Sequence, residues 1–116
     1  MNIIFYVKKN NNRCPVKEFI EKLEVKDRAK ILACLKSIEE LGFHSPRVQF
    51  RQIRGQLWEI KIRSSSSGFR IFYASFKAST LVLLHAYQKQ SKKAPNKEIE
   101  TAEQRLDEVN NEKNYT

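Results

Sequence analysis

The sequence predicts an α+β fold in a single domain of residues 1–116. Two observations lead to this prediction. A chain of 116 residues can bury one modest core. Its apolar patterns follow the order strand, two helices, four strands and helix, and the short loops between the later strands are typical of an antiparallel meander. The simplest arrangement is an antiparallel sheet with the two N-terminal helices and the C-terminal helix on one face, which leaves the other face open.

The first half of the chain is predicted to form one strand and two helices. Residues 2–7 are an apolar run of strand length. Pro15 suits the first turn of a helix, where its missing N–H group costs nothing. Residues 25–27 are expected to interrupt the helical pattern, and Gly42 is expected to end it. Between them the apolar side chains recur on one helical face: Ile31, Leu32, Leu35, Ile38 and Leu41.

The predicted meander begins with a short strand at residues 50–54, which ends at Gly55. In residues 57–63 the side chains alternate as in a strand with one buried face. The apolar face carries Trp58, Ile60 and Ile62, and the polar face carries Glu59, Lys61 and Arg63. Residues 69–76 are apolar on both faces, which predicts a central strand.

The chain is predicted to end with a strand, a basic loop and a helix. Residues 80–88 are rich in Leu and Val and form the last strand. Pro95 opens a helix whose apolar residues recur every three or four positions: Ile99, Ala102, Leu106 and Val109. The polar tail of residues 110–116 is expected to fray.

Positive charge is concentrated in one part of the chain. Residues 47–93 include one acidic residue, Glu59, and ten basic residues: Arg47, Arg51, Arg54, Lys61, Arg63, Arg70, Lys77, Lys89, Lys92 and Lys93. The charge of this segment, +9, equals the net charge of the whole protein. A cationic sheet with embedded aromatic side chains favours a polyanionic partner, and nucleic acid first. A generally basic domain without such a partner is the alternative, which charge spread evenly along the chain would favour.

The composition excludes several kinds of protein. The apolar run at residues 3–7 is too short for a membrane span or a signal-peptide core, which predicts a cytoplasmic protein without a membrane partner. Cys14 and Cys34 have no partner at metal-ligand spacing and are expected to be reduced structural thiols. With two histidines, no clustered carboxylates and three glycines, the chain is expected to use no metal and no cofactor and to form no Gly-rich phosphate loop.

Cleavage of RNA without a metal is compatible with this composition. RNA supplies its own nucleophile, the 2′-hydroxyl group, and an enzyme must align it, help to remove its proton and stabilise the phosphorane. Arg and Lys side chains provide the stabilising charge. A Lys among other cations has a lowered pKa that suits proton transfer, and aromatic rings can stack unpaired bases.

Arg70 has both a structural and a functional interpretation. It lies in the middle of a strand between Phe69 and Ile71, where an arginine needs a partner. Glu59 on the adjacent strand is the expected partner. The pair is either a plain salt bridge or a phosphate-binding arginine that Glu59 orients, and the two interpretations are compatible.

The residues after the last strand also leave alternatives open. His85, Tyr87 and Lys89 share one strand face. His85 is more typical of a satisfied core histidine than of a catalytic one, and Tyr87 suits either core packing or a stacking or proton-transfer role. Lys92 and Lys93 belong either to a solvated loop or to the site. His44 is expected to have no catalytic role, and Trp58 is expected to lie in the core.

Four motifs in fixed order resemble a known family. They are Leu57-Trp58-Glu59-Ile60, Phe69-Arg70-Ile71-Phe72-Tyr73, Leu83-Leu84-His85-Ala86-Tyr87-Gln88-Lys89, and Lys93-Ala94-Pro95 with Glu98-Ile99-Glu100-Thr101-Ala102. The series is similar to the phage-derived HigB-type branch of the RelE/ParE toxin superfamily over roughly residues 1–109. The resemblance implies a RelE-like fold and a toxin of a type II toxin–antitoxin pair. Such a toxin enters the ribosomal A site and cuts mRNA by 2′-hydroxyl attack without metal, and its partner is a helix-turn-helix antitoxin.

The resemblance makes Arg70 the strand arginine that contacts the scissile phosphate, and it places Lys89, Lys92 and Lys93 in the basic segment after the last strand. Together with the charge pattern and the strand faces, it leads to the following assignments. The predicted catalytic residues are Arg70, Tyr87, Lys89 and Lys92, with Glu59 orienting Arg70. The predicted RNA-binding residues are Arg51, Arg54, Lys61, Arg63 and Lys93. Gln90, Ser91 and Ala94 depart from the usual lysine–threonine pattern of the branch, and Tyr87 stands where phenylalanine is common, so the identity of the catalytic lysine stays open. ParE-type members inhibit DNA gyrase instead, and a non-enzymatic toxin or binding protein of that kind is the alternative.

Overall fold

A computed structural model describes residues 1–65, 67–90 and 95–112. The predicted order of elements is confirmed. The strands are β1 (Asn2–Phe5), β2 (Gln49–Arg54), β3 (Leu57–Arg63), β4 (Gly68–Phe76) and β5 (Thr80–Gln88). The helices are α1 (Pro15–Glu21), α2 (Val25–Leu41) and α3 (Asn96–Asn110), and one 3-10 turn follows α2 at Gly42–His44.

The five strands form one sheet in the order β1-β5-β4-β3-β2. The last four strands pair antiparallel in sequence order, which confirms the meander and the central position of β4. The prediction of a purely antiparallel sheet was wrong at one edge, because β1 pairs parallel with β5, with Asn2 opposite Thr80 and Phe5 opposite Leu83. A parallel neighbour needs a long crossover connection, and the helices and the meander together provide it.

Local sequence signals explain where the helices begin and end. Pro15 occupies the first turn of α1 as predicted. Residues 25–27 do not interrupt a helix, as the sequence had suggested, because α2 already begins at Val25 after extended backbone at Glu24. Gly42 ends α2 with φ +60°, a left-handed conformation that favours glycine, and its N–H group donates to the carbonyl of Ile38.

One face of the sheet packs against α1 and α2. The buried side chains on this side are Val16 and Ile20 of α1, Ile31, Cys34, Leu35 and Ile38 of α2, and Ile60, Ile62, Phe69, Ile71, Tyr73, Leu81, Leu83 and Ala86 of the sheet. Trp58 packs against this cluster and is partly buried, which confirms its predicted place in the core. This core fixes the strands that carry the site.

The helix α3 covers the opposite face, so the prediction that all helices lie on one face was wrong. Its buried side chains Ala102, Leu106 and Val109 pack with Leu57 and Phe72 of the sheet. The other buried members of this second cluster are Tyr6, Ala74, Phe76, Val82, Leu84 and Tyr87. The reason is visible in β4, whose side chains are apolar on both faces and would otherwise expose half of them to water.

A break in register decides which side chains of β5 share a face with Arg70. Phe72 lies opposite His85, but Tyr73 lies opposite Leu83, so β5 carries one extra residue at this point. The bulge places Tyr87 directly opposite Arg70. The part of this face that α3 leaves uncovered is therefore polar and cationic.

Within the part of the chain that the structure describes, no helix is long and apolar enough to cross a membrane. The helix α3 extends to Asn110, and of the predicted frayed tail, residues 113–116 lie outside the described residues.

Candidate functional site

A cationic cleft opens where β3 ends and β4 begins. Its volume is about 450 Å³. Five cationic side chains line it: Arg47, Lys61, Arg63, Arg70 and Lys89. The other lining residues are Pro46, Val48, Gln49, Ile62 and Gly68, so no carboxylate from the described residues faces this space. Five cationic side chains from different strands and loops concentrate positive potential in this cleft, and this favours an anionic ligand.

The register of the sheet brings the cations together. Lys61 of β3 lies opposite Arg70 of β4. The N–H group of Lys89 donates to the carbonyl of Gly68 at 2.8 Å, which fixes Lys89 beside the start of β4. A Cβ atom at Gly68 would lie 3.5 Å from Arg70 Nη1 and 3.7 Å from Lys89 Cβ, so a larger side chain there would fill the space between the two cations.

Glu59 holds Arg70 in place from the neighbouring strand. Glu59 is 0% exposed and Arg70 is 8% exposed. Arg70 Nε lies 3.6 Å from Glu59 Oε1, and Arg51 Nη2 lies 3.0 Å from the same oxygen. These distances confirm the predicted Arg70–Glu59 ion pair. Neither Glu59 oxygen has an aligned hydrogen bond within the described ranges, so the carboxylate is balanced by charge rather than by directed bonds.

Arg70 has a second restraint of its own. Its Nη1 donates to the carbonyl of Phe69 at 3.2 Å. Between this carbonyl and Glu59 the guanidinium group has little freedom, since the side chain is almost wholly buried. A buried, oriented arginine whose outer edge lines a cleft is preorganised for an oxyanion.

The same crowding of cations acts on Lys89. Arg70 lowers the pKa of the Lys89 ammonium group most, followed by partial desolvation and by Lys61 and Arg63, while Glu59 opposes the change. A lysine with a lowered pKa loses its proton more readily and can share in proton transfer.

Tyr87 differs from Lys89 in the direction of its pKa shift. Burial raises the pKa of Tyr87 to about 12, and the charge of Glu59 adds to the rise. Its ring stacks on Phe72 at 5.6 Å and on His85 at 6.3 Å between centroids. Tyr87 therefore keeps its proton at neutral pH and can donate a hydrogen bond, but it is a poor base.

A comparison with protein families gives a match to the description "Phage derived protein Gp49-like (DUF891)" over residues 18–107. The match covers well over half of the chain. The chain belongs to the Gp49-like family. This family is associated with the toxins of toxin–antitoxin systems. A search of the curated proteins gave no match.

The region that matches the Gp49-like family includes the whole cleft. It runs from α1 to α3 and contains the five cleft cations together with Glu59 and Tyr87. Among the residues that the structure describes, no group of three or more His, Cys, Asp or Glu side chains is placed to hold a metal ion.

His85 serves the packing of α3 in this Gp49-like chain. Its Nε2 lies 3.0 Å from Glu98 Oε1, and Arg105 Nη1 lies 3.1 Å from its Nδ1. Arginine only donates, so Nδ1 accepts, and the proton of the neutral ring sits on Nε2 and donates to Glu98. Both nitrogens are thus satisfied by α3, which agrees with the structural interpretation of His85.

Two predicted RNA-binding residues lie at different distances from the cleft. Arg51 is half exposed and shares Glu59 with Arg70, at the margin of the site. Arg54 pairs with Glu103 of α3 at the other end of β2 and does not line the cleft. Lys92 and Lys93 lie outside the described residues.

Sequence reasoning missed Arg47 and Gly68 as parts of the site. Arg47 lies in the loop before β2, where periodicity gives no signal about direction. Gly68 stands directly before Phe69-Arg70, and a glycine that precedes a mid-strand arginine is the one signal that could have marked a close approach of side chains.

Proposed function

We propose that this protein is a toxin of the RelE/HigB type, a ribosome-dependent endoribonuclease that enters the A site and cuts mRNA without a metal. The observation that supports the proposal is the cleft, which five cations line and in which Arg70 pairs with the buried Glu59. The association of the Gp49-like family with toxin–antitoxin toxins agrees with it.

The cleft residues suit each requirement of 2′-hydroxyl attack. The 2′-oxygen forms a bond to phosphorus, the bond from phosphorus to the 5′-oxygen breaks, and a 2′,3′-cyclic phosphate and a 5′-hydroxyl group result. Arg70, Lys61 and Arg63 would bind the phosphate and stabilise the added negative charge of the phosphorane. Electrostatic stabilisation by preorganised donors is the largest contribution that such a site can make.

Proton transfer is assigned to Lys89 and Tyr87. Lys89, whose pKa is lowered by Arg70, would take the proton of the 2′-hydroxyl group in its neutral form. Tyr87 lies opposite Arg70 but does not itself line the cleft. It keeps its proton, and it would donate to a phosphate oxygen or to the leaving 5′-oxygen if the strand reaches it. Lys92 is the second candidate for proton transfer, and Lys93 for phosphate binding.

The proposed partners follow from the same activity. A protein that cuts cellular mRNA in the cytoplasm must be kept inactive, and a helix-turn-helix antitoxin with acidic side chains would complement the cleft and speed association. Co-expression with the neighbouring open reading frame should restore growth and yield a stable complex. Free expression of the chain at high level with normal growth and intact mRNA would contradict the proposal.

Toeprinting on translating ribosomes tests the activity directly. Purified protein should produce new mRNA ends at A-site codons, and Arg70→Ala should remove them. Arg54→Ala is the matched control, because Arg54 is an arginine of the same basic segment that lies outside the cleft. Intact mRNA together with gyrase-dependent DNA breaks would instead support the ParE-type alternative.

A further inference from the structure

A second, smaller cationic pocket lies beside the cleft. It has a volume of about 200 Å³ and is enclosed by the first turns of α2 and the loop after β3. Its lining residues are Lys26, Asp27, Lys30, Arg63, Ser64 and Ser65. The two lysines lie outside the basic segment of residues 47–93, so the charge pattern along the chain does not connect them with the site.

Arg63 joins the two pockets. It lines the cleft together with Arg70 and Lys89, and it also lines the second pocket together with Lys26 and Lys30. A ligand that leaves the cleft past Arg63 therefore meets the α2 lysines next.

The environment of Cys34 gives a second sign that α2 and the cleft are close. Burial raises the pKa of the Cys34 thiol, while the charges of Lys30 and Arg47 both oppose the rise. The Sγ atom of Cys34 also lies 4.0 Å from the carbonyl oxygen of Arg47. Lys30 and the cleft residue Arg47 thus act on the same buried group.

Hydrogen bonds hold the loop that forms the wall of the second pocket. The N–H group of Ser64 donates to the carbonyl of Ser67 at 2.8 Å, and the N–H group of Ser67 donates to Ser64 Oγ at 3.2 Å. Gln88 Nε2 donates to Ser67 Oγ at 2.6 Å, which ties the loop to the end of β5. These bonds connect Ser64 on the pocket wall to Ser67 and, through Ser67, to Gln88 at the end of β5.

The cations of the second pocket are available to an external anion. Within residues 1–65, 67–90 and 95–112, none of Lys26, Lys30 and Arg63 is in an ion pair, in contrast to Arg13 and Arg54. Asp27 is the one carboxylate in the lining. It would repel a free dianion more than a singly charged phosphodiester, and this favours a polymer backbone over inorganic phosphate.

We propose that the pocket of Lys26, Lys30 and Arg63 is a subsite for a flanking phosphodiester of the same RNA strand that occupies the cleft. The protein would then grip an extended single strand that runs from Arg70 past Arg63 onto the start of α2. This proposal rests on the proposed function, since it assumes that the cleft ligand is RNA.

Binding of RNA oligonucleotides of two lengths tests the subsite. The probes are 2′-O-methyl RNA, which lacks the nucleophile and is not cut, of about four and about twelve nucleotides, lengths that bracket typical single-strand sites. Fluorescence anisotropy over a series of salt concentrations gives the slope of log affinity against log salt. The variants are Lys26→Gln/Lys30→Gln and the control Lys17→Gln/Lys36→Gln. The control removes two exposed helical lysines that line neither pocket.

The expected result depends on the length of the probe. Each lost phosphate contact lowers the slope on single strands by about 0.7, so the Lys26/Lys30 variant should lose up to about 1.4 on the longer probe. It should bind the shorter probe as the parent does, because that probe fits in the cleft. The control should match the parent on both. Glutamine is a good helix former, and circular dichroism should show an unchanged fold.

Three results would overturn the subsite: an unchanged slope on the longer probe, an equal loss on both probes, and an equal loss in the control. An unchanged slope on the longer probe combined with weaker binding to ribosomes would assign Lys26 and Lys30 to ribosomal RNA or protein instead. Failure of the proposed function has a different signature, since the parent would then leave mRNA intact in toeprinting. The binding assay does not require cleavage, so the two failures are distinguishable.

Discussion

At the scale of single residues, the site depends on a buried charge that the strands hold in place. Glu59 is fully buried and lies within 4 Å of the charged groups of both Arg70 and Arg51. A buried carboxylate that lost all its cationic neighbours would cost several kcal/mol. Arg51 Nη2 lies 3.0 Å from Glu59 Oε1. The negative charge of Glu59 is therefore still partly neutralised when Arg70 is removed.

The fold should therefore persist in Arg70→Ala, and under the proposed function this variant should lose toxicity. Loss of one preorganised charge contact in the transition state lowers a rate by about 10²–10³. Single-turnover cleavage of mRNA on ribosomes measures the rate, and thermal melts followed by circular dichroism measure the fold. Growth arrest equal to that of the parent would show that the activity does not need Arg70. Global unfolding of the variant would show that the role of Arg70 is mainly structural.

The pKa of Lys89 should rise when its cationic neighbours are removed. Arg70 is the main cause of the lowered value, so Arg70→Ala should raise the pKa of Lys89, and Arg63→Ala should do so to a smaller extent. The ε-methylene chemical shift of Lys89 followed by NMR over pH gives the value. Arg54→Ala is the control that should leave it unchanged. If Lys89 acts as the base, cleavage rises with pH up to its lowered pKa, and a flat profile would exclude that role.

At the scale of elements, the docking of α3 explains the largest difference between the predicted and the observed fold. The sequence showed an amphipathic helix after Pro95 but not which face of the sheet it would cover. The apolar character of both faces of β4 was the available signal, since a strand buried on both sides requires a second layer. By contrast, the bounds of β3 and β5 agree with the prediction, because strict alternation and Leu-rich runs are local signals.

The β5 bulge is an element that the sequence could not have predicted. It depends on the pairing of Phe72 with His85 and of Tyr73 with Leu83, which is set by tertiary contacts and not by propensity. Its effect on the site is large, because it decides that Tyr87 lies opposite Arg70.

The contact between α3 and β5 should weaken in acid through His85. Burial is the main reason that the pKa of His85 is lowered, and Arg105 adds to the effect while Glu98 opposes it. The unfolded chain then binds more protons than the folded chain, so stability rises with pH. This contribution is present above about pH 6.5 and is lost as the pH falls through the lowered pKa of the folded state.

Thermal melts between about pH 7.5 and pH 5.5, on either side of the ordinary histidine pKa, measure this contribution. The parent should have the lower Tm at the acid end, and His85→Gln should reduce the difference. His44→Gln is the control, because it replaces the other histidine, which is exposed and takes no part in the contact between α3 and β5. An equal pH dependence in the parent and in His85→Gln would show that other groups cause it.

At the scale of the whole molecule, five of the cations that the structure describes meet at one end of the sheet, where they line the cleft. Of the ten site residues that the sequence suggested, the structure describes eight, and four of these line the cleft: Lys61, Arg63, Arg70 and Lys89. The meeting of these four cations could be predicted, because the alternation of side chains along a strand shows which of them share a face of the sheet. Arg47 and the α2 lysines depend on loop and helix placement, which charge counting along the chain does not give.

Binding to RNA should weaken steeply with salt. Each phosphate contact on a single strand contributes about 0.7 to the log–log slope, so Lys61→Gln/Arg63→Gln should lower it by about 1.4 if both residues touch phosphate. Anisotropy with 2′-O-methyl RNA measures the slope, and Lys17→Gln/Lys36→Gln controls for net charge. A slope equal to that of the parent would place the RNA path elsewhere on the molecule.

During protein synthesis, the cleft can be completed only after β5 has been made, because Lys89 follows this strand. β1 is made early, but its partner Thr80–Leu83 follows only after both N-terminal helices and three further strands. Contacts between distant parts of a chain form late and slowly. A nascent chain therefore contains most of the cleft cations before β5 has been made to complete the sheet that positions them. Lys89 can reach its place beside Gly68 only after β5 has joined the sheet, so the cleft is not complete until that pairing forms.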